Sequence, residues 1–244
     1  SLPPLPEQKA IAAVLSSLDE KINLLQRQNV TLEAMAQTLF RQCFVEGADD
    51  DWEVVTIGDY TEINKASISK YYPHKKIEYL DTGSLTDGEI DGFQIYSLQE
   101  APSRARRLVE HNDVVISTVR PNQRHYGIIK NPKENMVVST GFCVINCTKI
   151  DPHFMYVLLT MPDMTEYLHV LAEASTSTYP SLKPSDIAGI EFQLPPEKEL
   201  EKFSKLAHSF WEKIEKNAIQ IRTLEKLRDT LLPKLMSGEV RVKI

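Results

Sequence analysis

An internal repeat constrains the fold of this chain more than any other feature. Residues 2–46 align with residues 194–238 at a fixed offset of 192. The matching triplets are Leu2-Pro3-Pro4 with Leu194-Pro195-Pro196, Glu20-Lys21-Ile22 with Glu212-Lys213-Ile214, and Thr31-Leu32-Glu33 with Thr223-Leu224-Glu225. Two copies of one structural element therefore flank a unique centre.

Both copies have the pattern of a long coiled-coil helix. Their seam residues are spaced alternately by three and four, and each copy begins after prolines, which a helix tolerates in its first turn. The seam residues are Ile11, Leu15, Leu18, Ile22, Leu25, Asn29, Leu32, Ala36 and Leu39 in the first copy, and Phe203, Ala207, Phe210, Ile214, Asn217, Ile221, Leu224, Arg228, Leu231 and Leu235 in the second. Each helix would be on the order of 50–60 Å long.

Each seam contains one asparagine, Asn29 in the first copy and Asn217 in the second. If the helices pair antiparallel so that partner numbers sum to 246, these two residues face each other. A buried Asn pair lowers stability but fixes the register. We therefore expect that replacing either Asn by Leu raises the melting temperature and loosens the pairing. The alternative is that both helices are amphipathic and pack on the central domain.

The centre of the chain has the pattern of short strands. Residues 52–57, 77–80, 114–119, 127–129 and 142–146 predict strands that are separated by Gly, Pro, Asn and Asp turns. Residues 152–173 predict a helix with a break near Pro162. The expected fold class is α+β, with a mixed α/β domain inserted between two long helices that form an antiparallel coiled coil. The expected boundaries are 1–48 for the first helix, 49–193 for the domain, and 194–244 for the second helix and the C-terminal tail.

The sequence carries no motif that would make this chain an enzyme by itself. It lacks the Asn/Asp/Ser-Pro-Pro-aromatic loop of adenine methyltransferases, a Gly-rich cofactor turn and a phosphate-binding loop. Its six histidines do not pair with Cys or carboxylates at metal-ligand spacing. Asp87, Glu89 and Asp91 are typical of a solvated turn, with a cation site as the alternative. Cys143 and Cys147 would face the same side of a strand, in the core.

Composition favours one or two soluble domains. The 244 residues are 42% hydrophobic and 25% charged, and no run of 18 apolar residues predicts a membrane span. The start, SLPPLPEQKA, lacks a signal-peptide pattern and an initiator Met, which indicates a piece of a longer chain. Three unpatterned cysteines indicate free thiols and a cytoplasmic location.

Three segments of the centre have the residue types that bind double-stranded DNA. The net charge is −6, but residues 101–133 carry seven basic groups against Glu110 and Asp113. Arginine reads guanine and Asn or Gln reads adenine, whereas hydroxyls and lysines contact phosphates. The candidate residues are Arg120, Asn122, Gln123 and Arg124 in the first segment; Ser177, Thr178, Tyr179, Ser181 and Lys183 in the second; and Lys65, Lys70 and Lys75 in the third. Arg104, Arg106 and Arg107 add to these.

The chain resembles half of a specificity subunit from a type I restriction–modification system. The resemblance rests on PLPEQKAIAAVLSSLDEKI, on ISTVRPN followed by Ser139-Thr140-Gly141-Phe142, on STSTYPSLKPSDI, and on LEKLRDTLLPKLMSGEVRV. In that family, two target-recognition domains alternate with two antiparallel spacer helices, and each domain reads one half of a split DNA site. One recognition domain is therefore missing here.

The resemblance implies a non-catalytic subunit that determines which DNA sequence its partner subunits act on. Those partners are two methyltransferase subunits and the translocase–nuclease subunits, to which S-adenosylmethionine, Mg²⁺ and ATP belong, so that this chain holds no cofactor itself. Because one domain is missing, we expect a two-fold homodimer that restores two domains. Two alternatives remain open: a recognition fragment of a fused restriction–methylation enzyme, and a coiled-coil adaptor that does not bind DNA.

Overall fold

The structure is a computed structural model that describes residues 3–175 and 180–242. Two compact units divide it: Ser1–Thr38 with Leu206–Ile244, and Leu39–Lys205. The elements in chain order are α1 (Leu5–Phe44), β1 (Val54–Thr56), α2 (Ile57–Tyr60), β2 (Thr61–Ile63), β3 (Lys76–Leu80), β4 (Leu85–Thr86), β5 (Glu89–Ile90), β6 (Gln94–Ser97), β7 (Ala105–Leu108), β8 (Val114–Ser117), β9 (Tyr126–Ile128), β10 (Met136–Ser139), β11 (Phe142–Cys147), α3 (Pro152–Thr160), α4 (Pro162–Glu173), α5 (Pro184–Ala188), β12 (Glu191–Gln193) and α6 (Glu197–Ser237). Short 3-10 helices cover Thr82–Ser84 and Pro121–Gln123.

The first unit is an antiparallel pair formed by most of α1 and α6. Asn217 Nδ2 lies 2.8 Å from Asn29 Oδ1. This is the pairing predicted by the antiparallel register in which the residue numbers of facing partners sum to 246. Nearer the start of α1, Arg228 Nη1 donates to Asp19 Oδ1 across 2.9 Å. The predicted seam residues of this unit are buried or half-buried, whereas their neighbours are mostly exposed. No helix among the described residues is long and apolar enough to cross a membrane.

The second unit contains the strands, and its described part has two four-stranded sheets. The strand orders are β6-β3-β10-β7 and β2-β11-β8-β9, while β1 with β12 and β4 with β5 form two-stranded pairs. Only β3 and β10 run parallel among these pairings. The strands β8 and β10 are mainly apolar and are buried at every residue, as in Val114–Ser117. This pattern is typical of strands that are covered on both faces. Leu80, Val115, Val138 and Phe142 belong to one core cluster that draws on both large sheets.

The two ends of the strand-containing unit meet on an aromatic cluster. The rings of Phe40, Phe44, Phe154 and Phe203 have centroids 5.0 to 6.2 Å apart in the pairs that touch. Next to this cluster, β1 pairs antiparallel with β12, and the Leu194 amide donates to the Glu53 carbonyl across 2.8 Å. The chain therefore enters and leaves this unit side by side, which is the arrangement of an insertion between two helices.

The predicted strands and helices of the centre are confirmed as elements, with shifted ends. The predicted helix 152–173 is divided into α3 and α4, and Met161 separates them in an extended conformation just before Pro162. Proline disfavours the helical conformation at the residue before it, which explains the break. The strand predicted over 114–119 ends at Ser117, because the chain turns there towards a positive φ at Arg120.

Candidate nucleic-acid interface

The first candidate segment is a tight turn between β8 and β9. Arg120 and Arg124 both lie in the left-handed region, with φ of 50° and 58°, and they flank the 3-10 helix Pro121–Gln123. The Gln123 amide donates to the Arg120 carbonyl, and the Arg124 amide donates to the Pro121 carbonyl. Because Pro121 is buried while Asn122 and Gln123 are exposed, the turn is anchored at its proline and presents its polar side chains to solvent.

The second candidate segment is hydrogen-bonded to the first. The Leu182 amide donates to the Thr118 carbonyl across 2.7 Å, and the Arg120 amide donates to the Pro180 carbonyl across 3.1 Å. Val119 and Ser181 form an isolated antiparallel bridge between these bonds. Lys183 follows, exposed, as the N-cap residue of α5. Ser177, Thr178 and Tyr179 lie outside the described residues.

Two further segments extend this surface towards the basic strand β7. The Thr118 amide donates to the Gly141 carbonyl, and the Thr140 amide donates to the Arg104 carbonyl, both across 2.8 Å. Arg104 and Arg106 are exposed there. We call residues 104–106, 140–141, 118–124 and 180–183 together the recognition strip. Main-chain hydrogen bonds thus join four segments that are up to about 80 residues apart in the chain.

The three candidate lysines of the third segment lie in different surroundings. Lys65 lies 3.6 Å from carboxylate oxygens of both Glu62 and Glu110, so its charge is balanced locally. Lys70 lies over the ring of Tyr71, 4.9 Å from its centroid. Lys75 precedes β3, at the end of that sheet opposite to Thr140, because β3 and β10 run parallel and Thr140 follows the last residue of β10. The structure therefore joins the first two candidate segments and separates Lys75 from them.

Arg124 is held by two residues that the sequence did not single out as binding residues. Its Nε–H donates to the Tyr126 hydroxyl across 3.1 Å, and Asp87 Oδ1 lies 2.7 Å from the same nitrogen. The hydrogen bond that Arg124 donates to Tyr126, together with the nearby Asp87, raises the pKa of Arg124 although partial burial opposes this. Burial raises the pKa of Tyr126 to about 12, so its hydroxyl stays protonated at neutral pH.

Asp87 lies at the tip of the β4–β5 hairpin, which is docked on β9. Asp87 and Gly88 have φ of 49° and 79°, as a two-residue hairpin turn requires. The Asp87 amide donates to the Arg124 carbonyl, and the Gly88 amide donates to the Tyr126 carbonyl, both across 2.9 Å. The Asp-Gly pair was the one sequence signal of this turn, and it gave no indication of the residue that the turn would contact.

No metal centre is found in the described part of the chain, and two of its three thiols are partly or fully buried. Residues 3–175 and 180–242 contain no group of three His, Cys, Asp or Glu side chains that could hold a metal ion. Cys143 is buried and Cys147 half-buried, and burial raises the pKa of each thiol to about 12. Asp87, one member of the acidic alternation, is paired with Arg124 instead of being arranged around a cation.

Comparison with known proteins agrees with this geometry. Residues 49–226, well over half of the chain, match the family described as "Type I restriction modification DNA specificity domain". The chain belongs to this family. The match covers the whole of the strand-containing centre and reaches into α6.

The relatives are specificity subunits that are longer than this chain. The HindI specificity subunit of Haemophilus influenzae is 26% identical over 184 residues, covering 74% of this chain and 40% of the relative. The MjaIX specificity subunit of Methanocaldococcus jannaschii is 28% identical over 266 aligned residues, covering 97% and 59%. The chain therefore spans less than two thirds of the length of these curated relatives.

A solved structure shares the fold. The type I restriction–modification system S subunit from M. genitalium superposes with a TM-score of 0.60 at 19% identity, over 95% of this chain and 61% of that one. At this identity the likeness supports the architecture alone, an α+β domain with long flanking helices.

Proposed function

We propose that this chain recognises one half of a bipartite site in double-stranded DNA, as part of a type I restriction–modification complex. The observation that carries the proposal is the recognition strip, where main-chain bonds bring Arg120, Asn122 and Gln123 beside Lys183 and Arg104. Family membership supports it, because the matched family is defined as a DNA specificity domain.

The residue types of the strip fit a division between base reading and phosphate contact. Arg can bond two acceptors of guanine, and Asn or Gln can bond the donor and acceptor of adenine, each worth about 1–3 kcal/mol of discrimination. Arg104, Arg106 and Lys183 are exposed and extend along the strip, where they would neutralise phosphates. Asn122 and Gln123 are exposed at the tip of the turn, so they reach a groove before the main chain does.

The proposal includes partners that carry out the chemistry. This chain would be non-catalytic and would dock two methyltransferase subunits, with translocase–nuclease subunits completing the restriction complex in the cytoplasm. S-adenosylmethionine, Mg²⁺ and ATP would bind to those partners. The two long helices present the same repeated sequence at both ends of the chain, which supports two equivalent docking surfaces.

The same repeat supports a two-fold homodimer of this chain. A homodimer would supply two recognition domains and would read a symmetric split site. Light scattering of the purified chain tests this, with a dimer mass expected. A monomer at high protein concentration would contradict the homodimer and leave recognition of a half-site standing.

Mapping of DNA methylation in cells tests the recognition function directly. Cells that express this chain with its methyltransferase subunit should acquire methyladenine at a defined split motif, whereas cells with the methyltransferase alone should not. With the variant Arg120→Ala/Arg124→Ala, methylation at that motif should disappear or extend to a wider set of sequences. A coiled-coil adaptor would produce no new motif, and a fragment of a fused enzyme would methylate without the partner subunit.

A further inference from the structure

We propose that Asp87 and Tyr126 are positioning residues that set Arg124 to read a base, specifically the acceptor edge of guanine. The inference rests on the function proposed above and assigns a role to two residues outside the recognition strip. It follows from three observations: the atoms of Arg124 that are engaged, the atoms that are left, and the fixed place of Asp87.

The contacts of Arg124 engage the inner part of its guanidinium group. The Nε–H donates to the Tyr126 hydroxyl, and Asp87 Oδ1 approaches the same nitrogen. Within residues 3–175 and 180–242, neither Nη atom of Arg124 has a hydrogen-bond partner. The arginine side chain is 55% exposed, which places the outer Nη edge in solvent. A guanidinium held at Nε and open at its two Nη atoms has the geometry for bidentate bonding to two acceptors.

The carboxylate of Asp87 selects what Arg124 can bind. An arginine that is already paired with a carboxylate has little net charge to offer a phosphate, whose recognition depends mainly on charge. The four Nη–H donors that remain keep their directions. A directed pair of such donors distinguishes guanine, with its O6 and N7 acceptors, from the other bases. Asp87 therefore favours a base contact over a backbone contact at this position.

The supports of Arg124 are themselves fixed in place. Asp87 is held by main-chain bonds from the hairpin tip to Arg124 and Tyr126. His125 Nδ1 lies 2.7 Å from the Leu85 carbonyl, which attaches the hairpin a second time. Tyr126 is 4% exposed, and its ring packs edge-on against Tyr156 with centroids 6.0 Å apart. Because the positions of both supports are restricted, the arginine loses little side-chain freedom when it binds DNA.

Selection from a randomised double-stranded DNA library tests the inference with the full chain. The variants are Asp87→Asn, Tyr126→Phe, Arg124→Ala and the double variant Asp87→Asn/Arg124→Ala. Asn tolerates the positive φ of residue 87, and Phe keeps the buried ring of residue 126, so both variants should fold. Asp91→Asn is the matched control, because it removes one negative charge from the same hairpin and leaves Arg124 untouched.

Arg124→Ala should lower guanine enrichment at one position of the selected site by about 10- to 100-fold. Asp87→Asn and Tyr126→Phe should lower enrichment at that same position by about 3- to 10-fold, while overall affinity for random duplex stays equal or rises for Asp87→Asn. The double variant should lose no more discrimination than Arg124→Ala alone. Asp91→Asn should keep the full preference.

Three results would overturn the inference. Asp87→Asn with unchanged guanine enrichment would mean that Arg124 needs no support. Equal loss at every position of the site would mean that Asp87 only stabilises the domain. A wild-type chain that selects no sequence at all would reject the proposed recognition function itself, and the role of Asp87 with it.

Discussion

The side-chain nitrogen of Asn217 donates to the side-chain oxygen of Asn29 across 2.8 Å, in the seam of the antiparallel helix pair. The two residues are not equivalent. Asn217 is completely buried, and its Oδ1 has no hydrogen-bond partner among the described residues, whereas Asn29 is 9% exposed. This asymmetry separates the effects of two substitutions that the seam pattern alone treats as the same.

Asn217→Leu should raise the melting temperature, because it removes a buried acceptor that has no partner and adds apolar surface to the seam. Asn29→Leu should lower the free energy of unfolding by about 1–3 kcal/mol, because Asn217 then keeps only the 3.4 Å contact to Gln28. Thermal denaturation of both variants measures the difference. An equal rise in melting temperature for both variants would show that the two asparagines lower the stability by the same amount.

Lys75→Ala should weaken DNA binding evenly across sequences. Lys75 is exposed and is proposed as a phosphate contact at the far end of its sheet. Loss of one phosphate contact reduces the slope of log affinity against log salt by about 0.9. Arg120→Ala/Arg124→Ala should instead relax base preference. Binding measured over a series of salt concentrations distinguishes them, and an unchanged slope for Lys75→Ala would limit the DNA footprint to the recognition strip.

Asp151→Ala should destabilise the strand-containing unit by about 1–2 kcal/mol, because Asp151 Oδ1 accepts from the amides of His153 and Phe154 at the start of α3. Asp151→Asn keeps an oxygen acceptor and should cost less. Burial opposes ionisation of Asp151, but its bonds to His153 hold its pKa below the usual value. The carboxylate therefore stabilises the fold above about pH 4, and that part is lost as pH falls through the lowered pKa.

Urea denaturation at several pH values measures this effect. The difference in free energy of unfolding between the wild type and Asp151→Asn should narrow as pH falls from 5 towards 3. A difference that stays constant over this range would show that the cap depends on geometry and not on the charge of Asp151.

Thiol labelling should divide the three cysteines into two classes. Cys43 is exposed, whereas Cys143 and Cys147 have thiols whose pKa burial raises to about 12. One thiol should react rapidly with a disulfide reagent at pH 8, and two should react only after denaturation, since the thiolate is the reactive form. Cys43→Ser should abolish the rapid phase. Rapid reaction of a second thiol would show that the sheet containing β11 opens locally.

The helix pair could be predicted from the sequence because its information is local. Alternation of three and four along Ile11–Leu39 identifies the buried face, and the offset of 192 gives the second helix. The break at Pro162 is equally local, since proline disfavours the helical conformation at the residue before it. By contrast, the sequence indicates only a basic patch at β7 and does not predict β10, because the pairing of these strands depends on partners far away in the chain.

The residues of the candidate site could be predicted from the sequence, but the contacts between its segments could not. The turn at Pro121 and the segment ending at Lys183 were identified by residue type, but nothing in the sequence indicates that Leu182 bonds to Thr118. Asp87 was interpreted as part of a solvated turn, because acidic residues around glycine usually are. Its role depends on Arg124, 37 residues further along the chain, and only the folded structure brings the two together.

The four segments of the recognition strip are joined through main-chain atoms, from Arg104 through Thr140 and Thr118 to Leu182. Such bonds do not depend on which side chains the segments carry. Under the proposed function, side chains of the strip could therefore be exchanged one at a time to change the recognised bases, while the main-chain bonds and the fold of the domain stay the same. Arg124 is the exception, since its side chain contacts the side chains of both Asp87 and Tyr126. A different side chain at this position would leave both of those partners without their arginine, so a new base preference there would require changes at all three positions.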